Sequence, residues 1–387
     1  MRPHESVAAI LRLRRWALDV LSGAKSSPPP SSIDSRTWQT FLAPERCASA
    51  LTPHLDKHTS LPPALLELIF ATAAAESRST LLAQAQARVL MEIASRLGSP
   101  MVILKGGVRA ISGLSPALPL ADIDVLVERD QVEHVVTELV RAGLGTPARP
   151  TKHHHALTPA DGRMAVEVHW TTNDDGRPLA PEVWSRLRPI PRGGNLMQLS
   201  ARDNVEHLLR HIAIVHGDHV PALRDIVLTA FAVGECAAED LAVVRRNIAN
   251  DEFASRLNDL LEMATALASP DGVPVKDKFV RDAALFYAAR ILAAEPASRF
   301  LSPAATSFVV ELALGRTRLR DAPARAFEFR GTGNATLAKF SERAPRIVNP
   351  VIGAAHAAYY AAAVAFSLPR LRKTAAMALA EVSRQSH

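Results

Sequence analysis

A chain of 387 residues with 48% apolar and 22% charged residues has the composition of a globular protein that can bury a sizeable core. This length allows one large domain or two ordinary ones. The two cysteines, Cys47 and Cys236, exclude a disulfide scaffold and suit a reducing cytoplasm, which is the location we expect.

The chain is predicted to begin with an amphipathic helix that ends at Gly23. Its sequence, MRPHESVAAILRLRRWALDVLSG, carries arginines within the apolar run and no small-residue cleavage site after it, which argues against a signal peptide. Residues 24–33, AKSSPPPSSI, are typical of a Pro/Ser linker. Residues 1–34 are therefore predicted to be a helix and linker appended to the rest.

Residues 35–98 form a predicted N-terminal helical region with a scaffold role. Its longest helix, Pro63–Leu97, has proline in the first turn, apolar residues at three- and four-residue spacing, and Gly98 at its end. A straight helix of this length would measure about 50 Å, so we expect one break near Glu76 and Ser77.

The stretch Met101–Val127, MVILKGGVRAISGLSPALPLADIDVLV, opens a predicted core at residues 99–199. It indicates a buried strand, a Gly-Gly turn, a short helix and a second strand. Because side chains alternate along a strand, Asp122 and Asp124 emerge on one face while Ile123 packs into the core. Neighbouring carboxylates repel each other, and two Mg²⁺ ions would neutralise them and assist a displacement at phosphorus.

The Gly-Gly turn lies directly upstream of these acids, where the first strand gives way to a helix. Gly106 and Gly107 would let the backbone approach a phosphate group, and the helix start adds N–H donors. One stretch therefore predicts a phosphate-binding turn beside a face for divalent metals. That combination is what nucleotidyl transfer from a nucleoside triphosphate requires.

A β-hairpin is predicted over residues 152–171, with Asp161-Gly162 as its turn signal. On its second strand, Glu167 and His169 face one side of the strand, while Val166 and Val168 face the other. An acid on a strand beside the Asp-x-Asp strand is either a functional carboxylate or an ordinary exposed one.

Histidines of the same hairpin offer zinc as an alternative metal. Along the strand His154 points away from its two neighbours, so the set that could converge on one ion across the hairpin is His153, His155 and His169. We favour Mg²⁺, because hard oxygen ligands already explain the acids.

Four sequence blocks follow one another along the chain: Leu104-Lys105-Gly106, Asp122-Ile123-Asp124, Glu167-Val168-His169-Trp170, and His216-Gly217-Asp218-His219 with Asp225. Together they resemble an uncharacterised bacterial nucleotidyltransferase family of the DNA polymerase β-like superfamily. The likeness covers residues from about 35 to about 235. It implies an α/β (α+β) fold, with a small mixed polymerase β-like sheet embedded in a mainly helical protein.

The resemblance also implies roles for particular residues. The catalytic and metal-binding set comprises Asp122, Asp124 and Glu167, the last supporting a metal or acting as general base. The nucleotide-binding set comprises Lys105, Gly106, Gly107 and Arg109. With two Mg²⁺ ions, or Mn²⁺ in their place, the chain would move an NMP group from an NTP to an acceptor hydroxyl.

One departure from the family pattern raises an alternative. Relatives carry a Tyr and then Arg-Pro before the first acid, whereas this spacer is shorter and has Leu118-Pro119 at that point. A missing arginine removes a rigid fork suited to phosphate, for which Lys105 or Arg109 would have to compensate. The alternative is a catalytically inactive relative that serves as a nucleotide-binding or protein-interaction module.

A helical domain is predicted over residues 200–300, beginning with a helix start at Ser200. His216, His219 and Asp225 match the fourth family block and either touch the nucleotide or lock two helices by hydrogen bonds. Arg224 is a candidate phosphate contact by its position alone.

Residues 301–387 are predicted to be a basic helical C-terminal region of a chain whose net charge is +6. Between Arg316 and Arg346 stand eight basic and three acidic residues. Such a segment is able to hold nucleic acid, although a solvated basic face is the commoner explanation. The uncharged run 351–368, followed by cations up to residue 373, is expected to be a packed or surface-lying helix rather than a membrane span.

Overall fold

The computed structural model describes residues 2–24, 33–55, 61–151, 153–172, 179–215, 220–293, 309–310, 312–313 and 348–385. The chain divides into two compact units. One comprises Met1–Leu13, His216–Val220 and Phe279–His387, and the other comprises Arg14–Val215 and Pro221–Lys278. The domain boundaries drawn from the sequence stay a prediction.

The described residues are mainly helical, and their short strands lie between residues 101 and 198. The helices are α1 (Pro3–Leu21), α2 (Ser35–Glu45), α3 (Ala48–Leu55), α4 (Pro63–Leu97), α5 (Gly106–Ser112), α6 (Val132–Arg141), α7 (Pro181–Trp184), α8 (Ala201–Arg210), α9 (Leu223–Gly234), α10 (Ala238–Ala249), α11 (Ala254–Ala268), α12 (Val280–Ala293) and α13 (Val348–Gln385). The strands are β1 (Met101–Ile103), β2 (Asp122–Leu126), β3 (Gly145–Pro147), β4 (His154–Pro159), β5 (Ala165–His169), β6 (Arg188–Pro189) and β7 (Leu196–Gln198).

The larger unit is built on a seven-stranded mixed sheet in the order β3-β4-β5-β2-β1-β7-β6. Strand β2 pairs parallel to β5 and antiparallel to β1, and β1 pairs parallel to β7. Strands β4 and β5 form the predicted antiparallel hairpin. A mixed sheet surrounded by helices confirms the predicted α/β (α+β) fold class.

One face of this sheet packs on the long helix α4 and on α6. Ile123, Val125 and Val127 lie in that core cluster, together with Leu90 of α4 and Val135 of α6. The alternation expected along the Asp-x-Asp strand is therefore confirmed, and the acids belong to the other face.

The predicted break in the long helix is wrong, because α4 runs without interruption from Pro63 to Leu97. Its buried side chains continue through the middle of the helix. Glu76 does not mark a break, since its carboxylate accepts the backbone N–H groups of Ala48 at 3.3 Å and Ser49 at 2.8 Å. It thereby satisfies donors at the start of α3 that have no partner within that helix.

A buried ion-pair network holds the start of α9 in the larger unit. The Arg14 guanidinium, 0% exposed, donates to Glu45 at 2.5 Å, to Asp277 at 2.8 Å and to the carbonyl of Pro221 at 2.9 Å. Glu45 in turn accepts the backbone N–H of Leu223 at 2.7 Å. Removing one partner from a buried ion pair lowers protein stability by about 3–5 kcal/mol. Because this network includes Pro221 and Leu223, it fixes the position of the first α9 residues.

In the smaller unit α12 packs against α13, and Arg12 lies 3.4 Å from Glu381. Residues 351–368 form part of α13, as the helix prediction required. Among the described residues, none of the helices combines enough length and apolar character to span a bilayer. His216, His219 and the basic segment 316–346 lie outside the described residues.

Candidate active site

The second face of the sheet carries the three predicted acids. Asp122 and Asp124 point to this face from β2, and β5 runs parallel beside it. In the register of this pair, Ala165 stands opposite Asp122 and Glu167 stands opposite Asp124. Two acids on one strand and a third on its neighbour therefore meet on one side of the sheet.

Asp124 is buried at 3% exposure and contacts an ammonium group and an imidazole. Its Oδ1 atom lies 2.9 Å from Lys105 Nζ and 3.0 Å from His169 Nε2. Burial opposes ionisation, but Lys105 and His169 outweigh it and hold the pKa of the Asp124 carboxyl well below its usual range. Asp124 thus lies on the predicted face of the sheet, opposite to Ile123, but it is covered there by Lys105 and His169.

Asp122 is in the opposite situation although it lies only two residues away. It is half-buried, and its carboxylate has no hydrogen bond or ion pair with the described part of the chain. Burial, followed by the charge of Asp124, raises the pKa of Asp122 to about 6. Asp122 therefore has the charges of Lys105 and Arg224 in its surroundings, but no direct ion-pair partner among the described residues.

Lys105 reaches Asp124 from an unusual backbone conformation. Its φ of 52° and ψ of −137° place a non-glycine residue in the left-handed half of conformational space, directly before α5. Such a conformation costs about 1–3 kcal/mol and persists where the surrounding structure imposes it. The sequence assigned Lys105 to the nucleotide, whereas in this structure its ammonium group is bound to Asp124.

The two glycines of the turn are buried where neighbouring side chains come close. A Cβ atom on Gly106 would lie 2.7 Å from Leu120 Cδ2, and one on Gly107 would lie 2.8 Å from Ile103 Cγ2. The Gly107 N–H already donates to the carbonyl of Leu104 at 3.2 Å. Close packing inside the protein is thus one reason for glycine here, in addition to the predicted approach of a phosphate.

Arg109, a half-buried residue of α5, is held by two contacts. Its guanidinium stacks over the Phe231 ring at 3.6 Å, and Nη2 donates to the carbonyl of Ser115 at 3.0 Å. Burial lowers the pKa of Arg109. Lys105 and Arg109 both line a cavity of about 580 Å³, whose wall also includes Asn204 and Glu235.

A second arginine approaches the glycine turn from the helical part of the unit. Arg224, on α9, donates through Nε to the carbonyl of Pro119 at 2.8 Å and through Nη1 to Asp225 at 2.6 Å. A Cβ on Gly106 would lie 3.3 Å from its Nη2 atom, so this end of the guanidinium faces the turn. Arg224 therefore lies at the spacer that lacks the family arginine, and Asp225 orients it.

No motif in the sequence marks Arg46, which belongs to the same neighbourhood. Burial lowers its pKa, and the charges of Arg224 and Asp122 act on it as well. Arg46 follows the last residue of α2 and has a φ of 49°. It is far from Asp122 and Arg224 in the sequence, so only the tertiary structure brings it near them.

The histidine prediction is corrected by the strand register. His154, not His153 or His155, stands directly opposite His169, and directly opposite residues share a face. His155 is buried on the other side, where its Nδ1 lies 3.7 Å from Glu133. The histidine side chains of β4 alternate between the two faces as predicted, but only the pairing with β5 determines which of them lies on the same face as Glu167.

Glu167 lies between these two imidazoles. Its carboxylate oxygens lie 3.3 Å from His169 Nε2 and 3.9 Å from His154 Nε2. The hydrogen bond with His169 lowers the pKa of Glu167 although burial opposes it. Glu167 is thus ionised at neutral pH.

Comparison with known proteins identifies the family. The family described as an uncharacterised nucleotidyltransferase matches residues 32–266, which is more than half of the chain, and the chain belongs to this family. Comparisons with curated proteins and with solved structures gave no match. Membership supports nucleotidyl transfer as the general activity and a nucleoside triphosphate as substrate.

Proposed function

We propose that this family member is a metal-dependent enzyme that moves an NMP group from an NTP to an acceptor hydroxyl. The observation that carries the proposal is the meeting of Asp122, Asp124 and Glu167 on one face of two parallel strands, next to the Gly-Gly turn. The family match covers all of these residues.

The donor set fits hard divalent cations. Asp122 offers a carboxylate without a hydrogen-bond or ion-pair partner in the described part of the chain, and burial, followed by the charge of Asp124, raises its pKa. Oxygen donors of this kind suit Mg²⁺, and Mn²⁺ in its place. Asp122 and Asp124 would hold the two ions, which when bound neutralise phosphate charge and lower the pKa of an attacking hydroxyl.

Glu167 is better suited to support a metal than to act as general base. A base works best when its pKa lies near the working pH, and the pKa of Glu167 is lowered by its bond with His169. An ionised carboxylate opposite Asp124 adds negative charge where a cation would be held.

Cationic side chains supply the complementary part of the site. Lys105 keeps Asp124 ionised and also lines the neighbouring cavity, so its ammonium can turn between the acid and a phosphate. Arg224 presents Nη2 at Gly106 and is the candidate to replace the missing spacer arginine. The 580 Å³ cavity beside Lys105 is our candidate for the acceptor, because Asn204 and Glu235 offer polar contacts on its wall.

The test compares NTPs labelled at the α- and at the γ-phosphate, with a cell extract as the source of acceptors. Nucleotidyl transfer moves the α-label onto the acceptor and releases the γ-label as pyrophosphate. Asp122→Asn and Glu167→Gln should reduce α-label transfer about a hundredfold or more, since each removes transition-state charge stabilisation.

Glu133→Gln is the matched control, because Glu133 is 82% exposed and its helix α6 packs against the other face of the sheet. It should retain full transfer. Transfer of the γ-label, or full activity in Asp122→Asn, would contradict the proposal.

A non-catalytic nucleotide-binding module is the second candidate. It is favoured by Lys105 and His169, which already contact Asp124, and by the missing spacer arginine. Calorimetry with Mg²⁺-NTP separates the two functions, since binding without pyrophosphate release supports the module and turnover supports the enzyme.

A further inference from the structure

Three side chains with metal-binding atoms converge on the second face of the sheet, at the β4–β5 hairpin. His154, Glu167 and His169 place one ligand atom each within 4.8 Å of one another. The hairpin register holds them, because His154 and His169 are directly opposite and Glu167 lies two residues before His169. Paired strands hold ligands more firmly than loops do.

We propose that His154, Glu167 and His169 form a binding site for a borderline divalent transition metal of the zinc type. This site differs in chemistry from the all-oxygen pair of Asp122 and Asp124. Two imidazole nitrogens and one carboxylate are a donor set that favours Zn²⁺, Co²⁺ or Fe²⁺ over Mg²⁺.

The distances require only side-chain adjustment. Metal bonds of about 2.1 Å with tetrahedral angles place neighbouring ligand atoms about 3.4 Å apart. Glu167 Oε2 is already 3.3 Å from His169 Nε2, and Glu167 Oε1 is 3.9 Å from His154 Nε2. All three ligand atoms lie within 4.8 Å of one another, and gaps of this size are within the reach of side-chain rotation.

The electrostatic surroundings favour a cation at this point. His169 Nε2 lies 3.3 Å from Glu167 Oε2 and 3.0 Å from Asp124 Oδ1, so a group between them meets two carboxylates. A metal ion bound there would replace the N–H of the imidazole in this position, and the proton would leave to solvent. Asp124 Oδ1 would then lose one of its two neighbours and keep its contact with Lys105 at 2.9 Å.

Metal binding at this site does not depend on the proposed function, and only its coupling to nucleotidyl transfer rests on that function. The experiment therefore measures binding first. Full-length protein is stripped of metal and titrated with Zn²⁺ by calorimetry, in excess Mg²⁺, and Co²⁺ is used to record visible absorption bands of the bound ion.

The informative comparison is His154→Gln against His155→Gln, since these neighbours point to opposite faces of the sheet. We expect one Zn²⁺ to bind to the wild type and to His155→Gln in the presence of Mg²⁺. His154→Gln should bind it at least about tenfold more weakly and lose the Co²⁺ bands, because it lacks a direct ligand. The difference between variants is the readout, so binding by other histidines does not affect it.

Equal Zn²⁺ affinity in His154→Gln and His155→Gln would overturn the proposal, as would the absence of Zn²⁺ binding to the wild type. Asp122→Asn tests nucleotidyl transfer without removing a ligand of the zinc site, because Asp122 is not among the three ligands. If Zn²⁺ binds but no α-label is transferred, the metal site is supported and the proposed nucleotidyl transfer is refuted. If the α-label is transferred with Mg²⁺ alone and Zn²⁺ does not bind, the proposed function is supported and the zinc site is refuted.

Discussion

The two aspartates of the Asp-x-Asp strand should respond to the same substitution with opposite changes in stability. Asp122 has no partner among the described residues and carries a pKa raised to about 6. Asp124 accepts contacts from Lys105 and His169 and has a lowered pKa. We therefore expect Asp122→Asn to stabilise the unit that carries the site and Asp124→Asn to destabilise it.

The gain for Asp122→Asn follows from linkage between protonation and folding. A pKa that rises from 3.8 to about 6 on folding corresponds to about 3 kcal/mol when the carboxyl is ionised in both states, which is an upper bound for a half-buried group. Below pH 3.8 the carboxyl is protonated in both states and costs nothing. The cost grows as the pH rises from the unfolded value of 3.8 to the folded value of about 6, and it is complete above the folded value.

The loss for Asp124→Asn has the opposite sign and another origin. Removing this carboxylate leaves the half-buried ammonium of Lys105 without its counter-ion. Breaking a buried pair in this way costs about 3–5 kcal/mol, and His169 keeps Glu167 as a second partner, so we expect the lower end. Because the folded pKa of Asp124 is lowered, this contribution is present above the unfolded value and is lost as the pH falls through the folded one.

Urea unfolding followed by tryptophan fluorescence measures both effects. All four tryptophans lie between residues 14 and 215, so the signal reports the unit that carries the site. Asp122→Asn should unfold at higher urea than the wild type at pH 8, and the two should converge near pH 4. A destabilised Asp122→Asn at pH 8, or a gain independent of pH, would refute the assigned difference between the two acids.

Three further predictions concern the surroundings of the acids. Lys105→Gly should be about 1 kcal/mol more stable than Lys105→Ala in urea unfolding, because both variants remove the ammonium group but only glycine accepts a φ of 52° without strain. Equal stability of the two variants would contradict this prediction. Gly107→Ala should lose about 1–3 kcal/mol through its contact with Ile103, while Gly234→Ala, which has open space, should lose none; equal melting would refute the packing argument. Arg224→Lys should weaken NTP binding about tenfold in calorimetry, whereas Arg163→Lys, at an exposed position, should leave the affinity unchanged. Unchanged affinity in Arg224→Lys would exclude Arg224 from the phosphate site.

Much of the local structure could be predicted because it depends on patterns a few residues long. The alternation of Asp122, Ile123 and Asp124 separates core from site, and Ser200 caps its helix by accepting the N–H of Asp203. The fold class followed from the same patterns and from the family resemblance.

The remaining features depend on contacts between distant parts of the chain. The burial of Asp124 results from Lys105 and His169, and the choice of His154 results from the hairpin register. The continuity of α4 reflects packing along its whole length, which local sequence does not report. Arg224 reaches the glycine turn from a helix more than a hundred residues away, held there by Asp225.

The central claim is that the acids of the second sheet face serve the transfer of an NMP group. The most direct measurement is the ratio of pyrophosphate released to nucleotide transferred, with wild type and Asp122→Asn assayed side by side. We expect one pyrophosphate for each nucleotide attached by the wild type and neither product from Asp122→Asn. Release of orthophosphate in place of pyrophosphate, or equal product from both proteins, would contradict the account.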